Sequence, residues 1–199
     1  MQQSDDHLTP YYRLDPEQLI RVVESIGLLC DGRLLALNSY ENRVYQVGIE
    51  DAEPLITKVY RPGRWSNEQI LEEHTFALEI SDAEIPLVPP MVINGQTLHE
   101  YDGFRFAMFK RHGGHAPELD QKNTRVRLGR FLGRIHAVGA EKAFQTRPEL
   151  TVDSFGHQAV KELIDGRWLP PHLETAFSSL SDDFLLSIEA SFERAVSYQ

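Results

Sequence analysis

The sequence predicts an α+β protein in which an antiparallel sheet comes first and helices follow. Up to residue 110, short runs rich in Val, Ile, Leu, Tyr and Phe are separated by polar turns. The links between the early runs are too short for the crossover that parallel strands need, so they favour a meander. After Lys110 the pattern changes, and apolar residues recur at helical spacing. Two unequal lobes follow from this. Residues 1–111 form an N-terminal helix plus the sheet, residues 112–199 form a helical part, and the joint lies near 109–116.

The first helix begins at Pro16, with Asp15 as its N-cap and Gln18 three residues on as in a capping box. Gly27 ends it, and Leu19, Val23 and Ile26 form its apolar stripe. Strands are predicted over 33–37, 44–49 and 55–60, linked by NSYENR and EDAEP. Ser66, with Gln69 three residues later, caps a helix that runs to about Ile80. The proline-rich stretch 85–90 is extended. Strands over 91–94 and 97–101 flank Gly95, and Asp102-Gly103 is the strongest hairpin signal in the chain. It leads into a strand over 104–109. HGGHAPE is a hinge-like loop, and the chain is expected to be helical from about Leu119, with Leu128, Phe131, Leu132 and Ile135 on one face. A late helix, capped by Ser181, carries Phe184, Leu185, Ile188 and Phe192.

Composition narrows the class. The chain has 199 residues, 41% hydrophobic and 25% charged, close to ordinary soluble domains. No apolar run approaches the ~20 residues that span a bilayer, and the N-terminus lacks a basic start followed by an apolar block. A single cysteine, Cys30, excludes a disulfide framework and a Cys-rich zinc site. These features favour the cytoplasm and no membrane partner. The formal net charge of -10 argues against a general nucleic-acid binder.

The chemistry-bearing candidates are Lys58 and Glu73. Lys58 shares a strand face with Ile56 and Tyr60, which by itself describes a lysine on a solvated face. Glu73 argues otherwise. On a helical wheel at about 100° per residue it falls among Ile70, Phe76, Ala77 and Ile80, whereas Glu72 groups with Glu68 and Glu79 in a stripe expected to face water. A carboxylate on an apolar face needs a cation, and Lys58 is the nearest strand lysine in sequence. A strand lysine held by a helix glutamate is the pair that positions nucleotide phosphates in kinases, and a structural salt bridge is the alternative. NSYENR has no glycine, but Asn38, Ser39 and Asn42 offer donors to a phosphate. Arg127, Arg130 and Arg134 read as a solvated helix face, His136 as an end-of-helix residue, and His112 with His115 as too few ligands for a metal.

LNSYENRVYQV, TKVYRPGRW, QILEEHTFALEI, INGQTL and LGRFLGRIH together resemble the stress response kinase A (YihE/RdoA-type) family, within the aminoglycoside-phosphotransferase-like and choline-kinase-like enzymes. The resemblance runs from about Leu35 to Gly139, and less distinctly to the end. It implies a bilobal protein-kinase-like fold, with an antiparallel-sheet N-lobe followed by the helical start of a C-lobe. It also implies ATP- and Mg²⁺-dependent phosphorylation of serine or threonine in a protein substrate, in the bacterial cytoplasm, by a monomer. By position, Ser39 matches the serine of the phosphate-covering loop, Lys58 the phosphate-pairing lysine and Glu73 its helix glutamate. Residues 109–112, with Phe109 and Lys110 at their start, match the hinge that meets adenine. The family's His-Gly-Asp-x-His-x-x-Asn loop and its metal-binding aspartate have no counterpart in the sequence. The expectation is therefore an incomplete chain without catalytic or metal residues of its own, inactive alone and prone to associate through the apolar face of its last helix. The alternatives are a non-catalytic module that binds ATP or a partner, and a small-molecule kinase of the same fold acting on an alcohol or amino sugar.

Overall fold

A computed structural model of the chain describes residues 11, 13–121 and 123–195. Residues 1–10, which make up most of the stretch inspected for a secretory signal, lie outside the described residues. The chain divides into two compact units, Met1–Thr146 and Arg147–Gln199. This division falls later than the lobe boundary drawn from the sequence at 111.

In the first unit, α1 (Pro16–Glu24) starts where Asp15 accepts a hydrogen bond from the Gln18 N–H at 2.7 Å. The capping box is only half formed. The Gln18 side chain reaches Asp102 Oδ2 instead, at 2.9 Å, and so ties α1 to the distant hairpin turn. Strands β1 (Cys30–Leu37), β2 (Arg43–Ile49) and β3 (Leu55–Val59) form the expected meander. β1 begins three residues earlier than its apolar run because the register shifts between Cys30 and Leu34, where Gly32 takes a φ of +85°. Helix α2 (Asn67–Asp82) has a complete capping box, with Ser66 and Gln69 exchanging both bonds.

After α2 the chain crosses back to the sheet. The strand expected over 91–94 is reduced to single bridges, Pro90 with Phe109 and Ile93 with Gln96. The chain turns back tightly at Asn94-Gly95, with φ of 52° and 76°, so the Ile93 N–H is taken by Gln96 and only the Met91 N–H reaches β5, at Met108. β4 (His99–Tyr101) and β5 (Phe104–Lys110) are joined at Asp102-Gly103, whose φ values of 50° and 79° are those of a tight hairpin turn. β5 inserts beside β3, giving the antiparallel order β1-β2-β3-β5-β4.

The sheet buries both faces. Val47, Val59, Phe104, Phe106 and Met108 pack with Leu19, Val22 and Val23 of α1. On the opposite face, Tyr60 and Ala107 pack with Ile70 of α2. Helix α3 (Thr124–Gly139) begins later than Leu119 because Asn123 adopts a left-handed φ of 73° immediately before it. It packs on α2, and Gly139 lies against the Phe76 ring. Leu128, Phe131 and Ile135 are half-buried, whereas Leu132 is exposed.

The second unit is helical: α4 (Gln158–Asp165), preceded by a π-helical turn at Asp153–His157, and α5 (Glu174–Ala195). Ser181 is inside α5 and caps nothing. The short 3-10 turn Pro171–Leu173 runs directly into Glu174, so this helix starts seven residues before that serine. Leu185 is buried, and Phe184 is exposed.

Candidate functional site

The alternation of β3 sends Thr57 and Val59 into the α1 core and turns Ile56, Lys58 and Tyr60 toward α2. In α2, Ile70 and Ile80 are buried against this face, and Glu73 stands between them in the helical repeat. The two elements meet at one ion pair. Lys58 Nζ donates to Glu73 Oε1 at 2.8 Å, with both side chains only partly exposed. The same ammonium lies 4.7 Å from the centre of the Tyr60 ring, so an aromatic face supports it from a second direction.

This pair sits on the wall of an open cleft of about 490 Å³. Val44 and Ile56 contribute from the sheet, Phe76, Ala77 and Ile80 from α2, Leu87 and Val88 from the proline-rich segment, Phe109 from β5 and Ile135 from α3. A cleft with apolar walls and one placed cation suits a ligand that combines a flat base with an anionic tail.

Lys58, Glu73 and Phe109 are therefore brought together, and two other sequence candidates are not among the lining residues. Ser39 is exposed in the β1–β2 turn. Lys110 is exposed at the end of β5, paired with Leu55. Asn42 Oδ1 accepts from the Arg61 N–H at 3.2 Å. Residues 111–118 have no regular structure, as the glycines of HGGH implied.

Glu72 does not simply face water. It is half-buried and accepts the N–H of Gln145, the N–H of Thr146 and the Thr146 hydroxyl, at 2.5, 2.9 and 2.7 Å. Arg134 is exposed, in keeping with a solvated stripe, and donates to the carbonyls of Ala83 and Glu84 at the end of α2.

The contacts behind the ion pair were not legible in the sequence. His74 is 2% exposed, with Nε2 at 2.6 Å from the Tyr60 hydroxyl and Nδ1 at 2.8 Å from Thr97 Oγ1. Burial pushes its pKa down to about 4; nearby Glu73 opposes that shift and Lys58 adds to it. His74 is thus a neutral bridge that fixes the ring on which Lys58 rests. Its one sequence signal was its place next to Glu73 on an apolar helix. His99, stacked near Phe106, is also shifted down by burial, and its Nε2 has no partner among the described residues. Among the described residues no three His, Cys, Asp or Glu side chains gather to hold a metal ion, and no helix is long and apolar enough to cross a membrane.

The chain is 37% identical over 180 residues to stress response kinase A of Escherichia coli (strain K12), covering 90% of this chain and 55% of that protein. It is 36% identical over 184 residues to serine/threonine protein kinase RdoA of Salmonella typhimurium (strain LT2), covering 92% and 56% respectively. The chain thus spans little more than half the length of these relatives. Among solved structures it is similar to amicoumacin kinase hAmiN in complex with AMP-PNP, Ca²⁺ and Ami. That likeness has a TM-score of 0.72 at 17% identity, over 92% of this chain and 56% of that one, and it shows that the fold is kinase-like. Residues 33–189 match the phosphotransferase enzyme family, and the chain belongs to it.

Proposed function

We propose that this chain carries the nucleotide-holding part of an ATP-dependent serine/threonine protein kinase. The carrying observation is the Lys58–Glu73 pair, closed at 2.8 Å on the wall of the cleft. In this reading Lys58 meets the phosphates, Glu73 keeps its ammonium from turning away, and Val44, Ile56 and Phe109 enclose the base. ATP supplies the phosphoryl group that passes to a hydroxyl acceptor. The chain's own contribution is to bind and orient, which is most of what phosphoryl transfer asks of a protein.

The residue that takes the acceptor's proton is not assigned, because the sequence holds no His-Gly-Asp-x-His-x-x-Asn segment. Mg²⁺ is the divalent cation that accompanies ATP in this reading. A protein acceptor in a stress response is preferred over a small molecule because the relatives at 36–37% identity bear protein-kinase and stress-kinase names. The cytoplasmic setting rests on the single cysteine.

The test is calorimetric binding of AMP-PNP with Mg²⁺ to the wild-type chain and to Lys58→Ala. Loss of charge-assisted hydrogen bonds to phosphate should weaken binding about tenfold or more. The melting temperature should barely move, since a partly exposed ion pair contributes roughly 0–1 kcal/mol. Equal affinity of the two proteins would remove Lys58 from the site.

A further inference from the structure

The β1–β2 turn that would cover the phosphates contains no glycine, so its backbone lacks the freedom by which glycine-rich loops fold over a ligand. Register brings its β2 end close to Lys58 along the sheet. Val44 is opposite Lys58 and Arg43 opposite Val59, so the turn leaves the sheet at the level of the ammonium. At its β2 end the Tyr11 hydroxyl donates to the Glu41 carbonyl at 3.0 Å, Asn42 accepts from the Arg61 N–H, and both oxygens of the Glu41 carboxylate are engaged. Glu41 Oε2 accepts from Arg64 Nε at 2.9 Å and Glu41 Oε1 accepts from Trp65 Nε1 at 3.0 Å, while Arg64 lies over the Trp65 ring at 4.7 Å. Glu41 is mostly buried by these contacts, with 26% of its side chain exposed. Trp65 is anchored in turn, because its carbonyl accepts from Arg105 Nη1 of β5 at 2.7 Å. The next residue, Ser66, is the cap of α2, the helix that carries Glu73.

We propose that Glu41 is a positioning residue that clamps the glycine-free turn to the start of α2, so that the phosphate-covering loop and the Glu73-bearing helix hold one fixed spacing. This rests on the nucleotide reading of the cleft. The clamp does by side-chain contact what a flexible loop does by closing on its ligand: it removes beforehand the motion that binding would otherwise have to freeze. Its effect belongs to the phosphate end of the ligand. The base-binding walls at Ile56 and Phe109 are not part of it.

The test compares AMP-PNP and adenosine as probes on the full chain, with hydrogen exchange of residues 38–43 in the absence of either. Glu41→Ala should weaken AMP-PNP binding about tenfold, leave adenosine within about twofold, and speed exchange across the turn. Glu41→Gln keeps an acceptor for Trp65 and loses the charge for Arg64, so its effect should be intermediate. If Glu41→Ala does not fold, Arg64→Met, at a half-exposed position in the turn after β3, replaces it in the same comparison. Unchanged AMP-PNP affinity, or an equal loss for adenosine, overturns the clamp and leaves the nucleotide reading standing. A wild-type chain that binds neither probe overturns both.

Discussion

Adjacent glutamates on α2 have separate tasks, and the helical repeat separates them. Glu73 meets Lys58 inside the cleft, while Glu72, turned by about 100°, gathers the backbone of residues 145–146. Glu73→Gln should weaken AMP-PNP binding several-fold more than Glu72→Gln, whose effect should be on stability. Calorimetric titration and thermal melting of both variants distinguish the two, and equal affinities would refute the assignment of Glu73. His74 adds a pH dependence. Its folded pKa of about 4 lies below the ordinary value of 6.5. Between those values the unfolded chain holds a proton that the folded chain refuses. The stability it contributes is therefore full above pH 6.5 and is lost as pH falls toward 4. By pH 5 the loss is about 2 kcal/mol. Urea unfolding at pH 7 and pH 5 should show this drop in the wild type and a smaller one in His74→Asn; identical drops would place the titration elsewhere.

At the scale of elements, helix starts decide what the site receives. The reciprocal bonds of Ser66 and Gln69 fix where α2 begins, and hence which of its faces carries Glu73. Ser66→Ala should cost about 1 kcal/mol. It should also weaken AMP-PNP binding, because the frayed first turn lies next to the Glu41 contacts. Parallel melting and binding curves check this, and a stability loss with unchanged affinity would separate the cap from the site. The capping pattern at Asp15 looked the same in sequence, yet Gln18 had a better partner in Asp102, 84 residues away. No local pattern records such a competitor. Ser181 failed as a cap because α5 already begins at Glu174, directly after the turn Pro171–Leu173.

At the scale of the molecule, burial is uneven. In the first unit Val59, Ile70, Phe106 and Met108 are fully buried, whereas in the second only Leu185 is buried among the described residues. Local stability should follow burial. Native-state hydrogen exchange should be slowest in β2, β3 and β5 and faster by orders of magnitude in α4 and α5. Comparable protection of α5 and β5 would contradict this ranking.

The sequence by itself determined the order of strands and helices, the meander, the Asp102-Gly103 hairpin and the face of α2 on which Glu73 lies. Each depends on period, capping or turn chemistry, which are written in neighbouring residues. It also pointed to Lys58, because a carboxylate among apolar residues demands a cation. Tertiary structure decided what depends on distant partners. It closed the Lys58–Glu73 pair, placed Tyr60 under the ammonium and neutral His74 behind it, and gave half-buried Glu72 the backbone of residues 145–146 to hold. It also left Ser39 and Lys110 outside the cleft's walls. A sheet brings residues 44, 58 and 107 side by side by register, and register is fixed only when the whole core has chosen which faces to bury.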